Sequence, residues 1–176
     1  MKVLVINGSP RAKGNSDLLC DEFIRGAQEA GHQVEKISLR EIEIAPCRAC
    51  YACFRTGICV QKDDMAEILD KAEATDVLLL ASPTYFLTMS GQMKVMIDRL
   101  LPKWQGLGGK EAYVIVTGHD GRGGLKRNAD DLAQILENLG DRVRQIIWGE
   151  CVWQKGEVIG TKAMEEAYLA GKGIGK

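Results

Sequence analysis

The 176-residue sequence lacks the features that mark membrane, secreted or nucleic-acid-binding proteins. Its apolar runs are far shorter than the ~20 residues that span a bilayer, and the run after Lys2 is too short for a signal peptide. Basic and acidic residues nearly balance, at 23 and 24, so no basic surface for nucleic acid is indicated. We therefore expect a cytoplasmic protein with neither nucleic acid nor membrane as a partner.

Histidine is also scarce, with two residues, and the chain contains six cysteines. Four of the six fall within thirteen residues: Cys47, Cys50, Cys53 and Cys59. A compact thiolate quartet can bind a metal ion or an iron–sulfur cluster. In a reducing compartment such cysteines are more often ligands or redox groups than structural disulfides. The other two, Cys20 and Cys151, are predicted to be buried as small apolar side chains.

Short apolar segments alternate along the chain with longer amphipathic ones. The pattern predicts strands at residues 2–7, 33–39, 76–82, 112–117 and 143–148. Helices are predicted at residues 16–30, 91–101, 125–139 and 162–170, and in a segment that starts at Asp63 or Asp64. The tail, residues 171–176, is expected to be frayed.

Alternating strands and helices indicate a parallel sheet between two layers of helices. The predicted fold is α/β, a flavodoxin-like three-layer sandwich with a five-stranded parallel sheet of order 2-1-3-4-5. Residues 1–176 are expected to form one domain, with a cysteine-rich insertion at about residues 45–63.

Ligands of this fold bind at the carboxyl ends of the strands, where the loops after strands 1, 3 and 4 meet. The first loop, residues 8–16, combines glycines, hydroxyls and Arg11 before a helix and predicts an anion site. The second, residues 82–86, carries two aromatics that suit a flat ring. The third, residues 117–124, is rich in glycine, which permits close approach to a ligand. Each loop also has a simpler interpretation. The first could be only a capped turn, the second could place its aromatics over the core, and the third could be only a flexible loop.

In this order, the three loops resemble those of the NADPH-dependent FMN reductase family. The resemblance rests on Gly8-Ser9-Pro10-Arg11 with Gly14-Asn15-Ser16, on Ser82-Pro83-Thr84-Tyr85, and on Gln92-Met93-Lys94 with Ile97-Asp98-Arg99. It implies that the FMN phosphate is held by Ser9, Arg11, Gly14, Asn15 and Ser16. It also implies that the flavin ring is contacted by Pro83, Thr84, Tyr85 and Phe86, with Gly118 and Gly123 nearby.

Within that family, the cysteine run resembles the segment of iron–sulfur flavoproteins that holds a [4Fe-4S] cluster near FMN. The resemblance implies four cluster ligands: Cys47, Cys50, Cys53 and Cys59. From the residues alone, zinc, free thiols and disulfides stay open as alternatives.

The resemblance implies an FMN-binding oxidoreductase that moves electrons between NAD(P)H or a ferredoxin-like donor and a small-molecule acceptor. It also implies a homodimer or a homotetramer. The alternatives are a cluster-free NAD(P)H-dependent FMN or quinone reductase, a flavodoxin-like electron carrier and a thiol or metal redox sensor. Hydride transfer itself demands no acid–base group, so no catalytic side chain is predicted.

Overall fold

The computed structural model describes residues 1–176 and contains one parallel sheet of five strands. The strands run in the order β2-β1-β3-β4-β5. Their bounds are β1 Lys2–Asn7, β2 Gln33–Ser38, β3 Val77–Pro83, β4 Glu111–Thr117 and β5 Arg142–Gly149. The predicted fold class is confirmed, and each predicted strand end agrees with the structure to within about one residue.

Six α-helices cover the two faces of the sheet or lie in the connections: α1 Asn15–Glu29, α2 Cys53–Thr56, α3 Met65–Glu73, α4 Gly91–Asp98, α5 Arg122–Leu139 and α6 Lys162–Lys172. One buried cluster joins the sheet to α3, α4 and α5, and the other joins it to α1 and α6. The central strand β1 contributes Leu4 and Ile6 to the first cluster and Val3 and Val5 to the second. Burial on both faces explains its continuous apolar sequence. No helix combines the length and apolar character needed to cross a membrane.

Helices α1 and α6 pack with their backbones in direct proximity. A Cβ atom placed on Gly26 would lie 2.1 Å from the carbonyl oxygen of Tyr168, and one on Gly171 would lie 2.0 Å from that of Phe23. Both positions therefore require glycine. The expectation of a frayed tail is wrong, because Gly171 makes this contact and Ile174 is only 3% exposed within the same core.

Helix α4 is shorter than the sequence pattern predicts. It ends at Asp98, and a separate 3₁₀ turn, Leu101–Lys103, contains the proline that was expected to end the helix. At its start, the Ser90 hydroxyl accepts a hydrogen bond from the backbone N–H of Met93. The result is a short, well-defined helix between the sheet edge and the cysteine region.

Candidate functional site

The loop between β1 and α1 leaves the first turn of α1 without protein acceptors. Gly14 is the N-cap in an extended conformation and supplies no side-chain cap. The backbone N–H groups of Asn15, Ser16 and Asp17 donate to no protein atom. Free donors at the positive end of a helix dipole favour an anion such as a phosphate.

Asp17 stabilises the conformation of this loop through its buried carboxylate. Its carboxylate accepts hydrogen bonds from the Asn7 side chain (2.8 Å) and the Lys13 backbone (2.7 Å), and pairs with Lys36 at 2.6 Å. Burial alone would raise the pKa of Asp17, but the bonds from Lys36 and Lys13 outweigh it and the pKa is lowered. The ionised carboxylate thus fixes Lys13, whose φ is +55°. Sequence reasoning missed Asp17; its signal is an acid in the first helical turn.

Asn15 connects the loop between β1 and α1 to the segment that follows β5. Its amide nitrogen donates to the carbonyl of Gln154 at 2.9 Å, and its Oδ1 accepts from the N–H groups of Gly156 and Val158. The side chain therefore has a clear structural role. Phosphate binding by Asn15 stays a prediction that involves its free backbone N–H.

The other predicted phosphate ligands also have protein contacts. Arg11 donates to the carbonyl of Trp153 at 2.9 Å, and its side chain is at the surface. The Ser16 hydroxyl lies 2.7 Å from that of Thr117, and the buried Ser9 hydroxyl accepts the Arg11 N–H at 3.3 Å. These bonds hold the loop in one conformation, as preorganised ligand sites require.

The loop after β3 forms a tight turn that projects from the molecule. The backbones of Tyr85 and Thr88 exchange hydrogen bonds of 2.9 and 3.2 Å around Phe86 and Leu87, whose φ angles are +47° and +73°. Phe86 is fully exposed, so the interpretation that both aromatics cover the core is wrong. Exposed apolar side chains on a strained turn are typical of a ligand or partner contact.

Two buried side chains hold the base of this turn. The Ser90 hydroxyl donates to the carbonyl of Gly8 at 2.7 Å, which ties the turn to the loop after β1. The buried Asn128 amide donates to the Thr84 hydroxyl at 3.0 Å and lies 3.4 Å from the carbonyl of Pro83. Because Thr84 accepts that bond, its own proton is available to a ligand. Ser90 has the local sequence signal of a helix N-cap, whereas Asn128 has none.

The loop after β4 lies beside Thr84. A Cβ on Gly118 would come within 3.4 Å of the Thr84 Cβ, and the Gly118 carbonyl accepts the Val152 N–H at 2.9 Å. Gly123 lies in the first turn of α5, where a Cβ would meet no atom within 4 Å. The structure thus brings the predicted loops together at one sheet edge; we call residues 8–16, 83–90 and 117–121 the loop cradle.

The cysteine segment, residues 45–62, forms a mostly exposed extension between β2 and α3. Four cysteines of the segment line one pocket of about 150 Å³, together with Leu101: Cys47, Cys50, Cys53 and Cys59. No three metal-ligating side chains converge closely enough to hold one ion. The four thiols are free, and the segment brings them to one pocket without closing them around a single point.

The backbone around these thiols offers unpaired donors. Ala49 and Tyr51 have φ angles of +49° and +55°, and Ala52 is right-handed. The N–H groups of residues 47–53 donate to no protein acceptor. Alternating left- and right-handed residues turn N–H groups towards a concavity that suits anionic groups, including iron–sulfur centres.

A buried ion pair joins the two ends of the cysteine segment. Arg99, 2% exposed, donates to both carboxylate oxygens of Asp63 at 2.8 and 2.9 Å and to the carbonyl of Ala45 at 2.6 Å. The Arg99 guanidinium lowers the pKa of Asp63. Asp64 occupies the N-cap position of α3 without a side-chain cap bond. Asp63 also accepts the N–H of Met65 at 3.3 Å, so the predicted cap of this helix is supplied by Asp63, which fixes the base of the segment as well.

The two cysteines outside the segment differ from each other. Cys20 is fully buried as predicted, and burial raises the pKa of its thiol. The prediction of a buried Cys151 is wrong: it is exposed, with φ +58°, in the segment after β5. Its N–H bonds to the carbonyl of Asp120, which turns the chain outward at the sheet edge.

Comparisons with known proteins agree with this arrangement. The chain is 41% identical over 102 residues to an iron–sulfur flavoprotein of Archaeoglobus fulgidus, covering 58% of this chain and 46% of that protein. It is 32% identical over 129 residues to YwqN of Bacillus subtilis, a proposed NAD(P)H-dependent FMN-containing oxidoreductase, covering 68% of each. The chain spans about half the length of the iron–sulfur flavoproteins that it matches most strongly.

Among solved structures, an azoreductase from Bacillus anthracis superposes with a TM-score of 0.79 at 17% identity, covering 98% of this chain and 99% of that one. This likeness shows the fold. The sequence profile described as NADPH-dependent FMN reductase matches residues 1–145. Because that match takes in all three loops of the cradle, the chain belongs to the NADPH-dependent FMN reductase family.

Proposed function

We propose that the chain is an FMN-dependent oxidoreductase that moves electrons between NAD(P)H or a ferredoxin-like donor and a small-molecule acceptor. The observation that carries this proposal is the uncapped start of α1, where three backbone N–H groups have no protein acceptor. Bound FMN would supply the redox chemistry, accepting a hydride or single electrons. The protein's own part is to bind, orient and shield the cofactor.

The residues present fit an FMN phosphate and ring. The first turn of α1 and the hydroxyls of Ser9 and Ser16 suit the phosphate, and the Arg11 guanidinium can add a charge-assisted bond. Asn128 directs the Thr84 hydroxyl, while Gly118 leaves backbone room beside it. These groups would orient the ring without taking part in proton transfer.

The finer proposal is that the cysteine segment holds a [4Fe-4S] cluster with four ligands: Cys47, Cys50, Cys53 and Cys59. Three observations support it: the shared pocket, the free N–H groups and the similarity to iron–sulfur flavoproteins. A cluster there would supply one-electron transfer. The segment has few hydrogen bonds of its own, so its thiols can rotate to converge when the group binds.

Partners and location follow from the same proposal. NAD(P)H is the proposed co-substrate, a ferredoxin-like protein the alternative donor, and the cytoplasm the location. A homodimer or homotetramer is supported by exposed apolar side chains on the turn after β3 and on the cysteine segment, among them Phe86, Tyr51, Phe54 and Ile58.

Comparing FMN with riboflavin tests the cradle. We expect the purified chain to bind FMN at least about tenfold more tightly than riboflavin, because the free N–H groups act on the phosphate. Flavin fluorescence quenching measures both affinities. Equal affinities would contradict the phosphate site, and no flavin binding would remove the oxidoreductase proposal.

Two further assays separate the alternatives. Anaerobic NAD(P)H oxidation with quinone or free flavin as acceptor distinguishes a reductase, which turns over, from an electron carrier, which does not. Iron and acid-labile sulfide after anaerobic purification test the cluster. Flavin without iron leaves the cluster-free reductase, and zinc or disulfides without flavin favour the thiol or metal sensor.

A further inference from the structure

The buried Arg99 side chain is not used by the loop cradle. It lies just beyond the end of α4, and its three hydrogen bonds go to Ala45, the first residue of the cysteine segment, and to Asp63, which directly follows the segment. A fully buried arginine is costly unless it is paired, so its place calls for a specific role.

One of the segment's cysteines lies near this ion pair, because Cys59 and Asp63 line the same pocket. The pKa of Arg99 is raised, first by its hydrogen bonds to Asp63 and then, in smaller part, by Cys59. Its Nε is buried and has no partner within the chain, which leaves one donor free. Arg99 therefore binds the base of the segment and keeps one buried donor that no atom of the chain accepts.

The opposite end of α4 is fixed to the loop cradle. Ser90 caps the helix and donates to the carbonyl of Gly8 in the loop after β1. From Ser90 to Arg99 the chain rises about 14 Å at 1.5 Å per residue. One short helix thus has the cradle at its start and the cysteine segment at its end.

We propose that Arg99 is a positioning residue: with Asp63 it closes the base of the cysteine segment onto α4 and holds Cys59 at a fixed separation from the loop cradle. The proposal rests on the proposed function only in taking the thiols as ligands of a metal group. A planar arginine fork binds the two Asp63 oxygens through two separate nitrogens and Ala45 as well, a geometry that the single nitrogen of a lysine does not reproduce.

Cobalt binding tests the positioning of the thiols. The FMN-loaded, reduced chain is titrated with Co²⁺, and thiolate-to-cobalt charge-transfer absorption is followed. Arg99→Lys and Asp63→Asn should weaken Co²⁺ binding by about tenfold or more, the range found when groups that orient metal ligands are removed. FMN affinity should stay unchanged in both variants. Asp98→Asn, which breaks the exposed pair with Lys94 on the same helix, is the matched control and should change neither.

Tryptic cleavage gives a second readout that needs no metal. The segment offers cleavage sites at Arg48, Arg55 and Lys62. Opening its base should speed cleavage there by about tenfold in Arg99→Lys, while cleavage elsewhere in the chain stays at the wild-type rate.

The outcomes separate the two proposals. Faster cleavage in Arg99→Lys, with a wild-type chain that binds no Co²⁺, would retain the positioning role and remove the metal group. Wild-type Co²⁺ affinity and cleavage in both variants would overturn the positioning role alone. A parallel loss of FMN and Co²⁺ binding would also overturn it, since it would indicate a general loss of stability.

Discussion

The loop cradle and the cysteine segment are organised in opposite ways. In the cradle, buried side chains from four elements fix the loops, and the free groups are backbone donors. The cysteine segment is held at its base by the Arg99–Asp63 ion pair and by a few hydrogen bonds around it, such as that from the Ala45 N–H to Asp63, and it is exposed beyond the base. The cradle is therefore preorganised, whereas under the proposed function the segment would complete its site only when a metal group binds.

Removing Asp17 should have the largest effect on the cradle. Asp17→Ala leaves the Asn7 amide and the Lys13 N–H without an acceptor and removes the buried carboxylate that pairs with Lys36. We therefore expect a loss of about 3 kcal/mol in unfolding free energy, together with weaker FMN binding. Asp21→Ala is the matched control, because Asp21 pairs with the same lysine at the surface and should cost less than about 0.5 kcal/mol. Denaturant unfolding measures both. Equal losses would show that Asp17 does not shape the loop.

A pair of cysteine variants compares the core with the segment. Cys20→Ser places a hydroxyl among apolar side chains and should cost about 2 kcal/mol. Cys50→Ser, in the exposed segment, should change the unfolding free energy by less than about 0.5 kcal/mol and yet weaken Co²⁺ binding. Thermal and denaturant unfolding with a Co²⁺ titration check both. A large stability loss in Cys50→Ser would mean that the segment is more ordered than we infer.

Two hydroxyl deletions extend the comparison. Ser90→Ala removes both the cap of α4 and the link to Gly8, so we expect a loss of about 1 kcal/mol and weaker FMN binding. Thr56→Ala removes the exposed Thr56 hydroxyl bonds within the segment and should cost less than about 0.5 kcal/mol. Denaturation midpoints and FMN titrations would decide. Similar losses from the two variants would contradict the contrast between the regions.

Lowering the pH should change the unfolding free energy by the smallest amount among these predictions. The folded-state pKa of Asp17 is lowered from its ordinary value of 3.8, so its pairing stabilises fully above that value. The stabilisation is lost as pH falls through the lower, folded pKa. The difference in unfolding free energy between wild type and Asp17→Asn should thus not change with pH at about pH 6, and it should shrink below about pH 3.8. An advantage that does not change down to about pH 3 would show that the charge of Asp17 is not what matters.

Much of the fold was predictable because burial leaves a local pattern. Apolar runs such as Val77–Ala81 lie in a strand covered on both faces. The ends of the strands could therefore be predicted from the ends of the apolar runs. The position of the three cradle loops then followed from the strand order. Cys20 was also predicted correctly, since it lies on the apolar side of α1.

The supporting residues were not predictable, because their partners lie far away in the chain. Asn15 bonds to residues about 140 positions later, and Arg99 to Asp63 across 36 positions. Cys151 was misjudged because a left-handed backbone turn reverses its direction at the end of the sheet. Whether a side chain meets the ligand or supports a neighbour depends on such long-range contacts.

The close crossing of α1 and α6 has a consequence for where this domain can be cut. The family match stops at residue 145, within β5. Helix α6 lies beyond that point, although it covers the apolar face of α1. A chain shortened to the matched residues would keep all three cradle loops and expose Phe23 and Ala27 to water. The boundary drawn by homology is thus not the boundary of the folding unit.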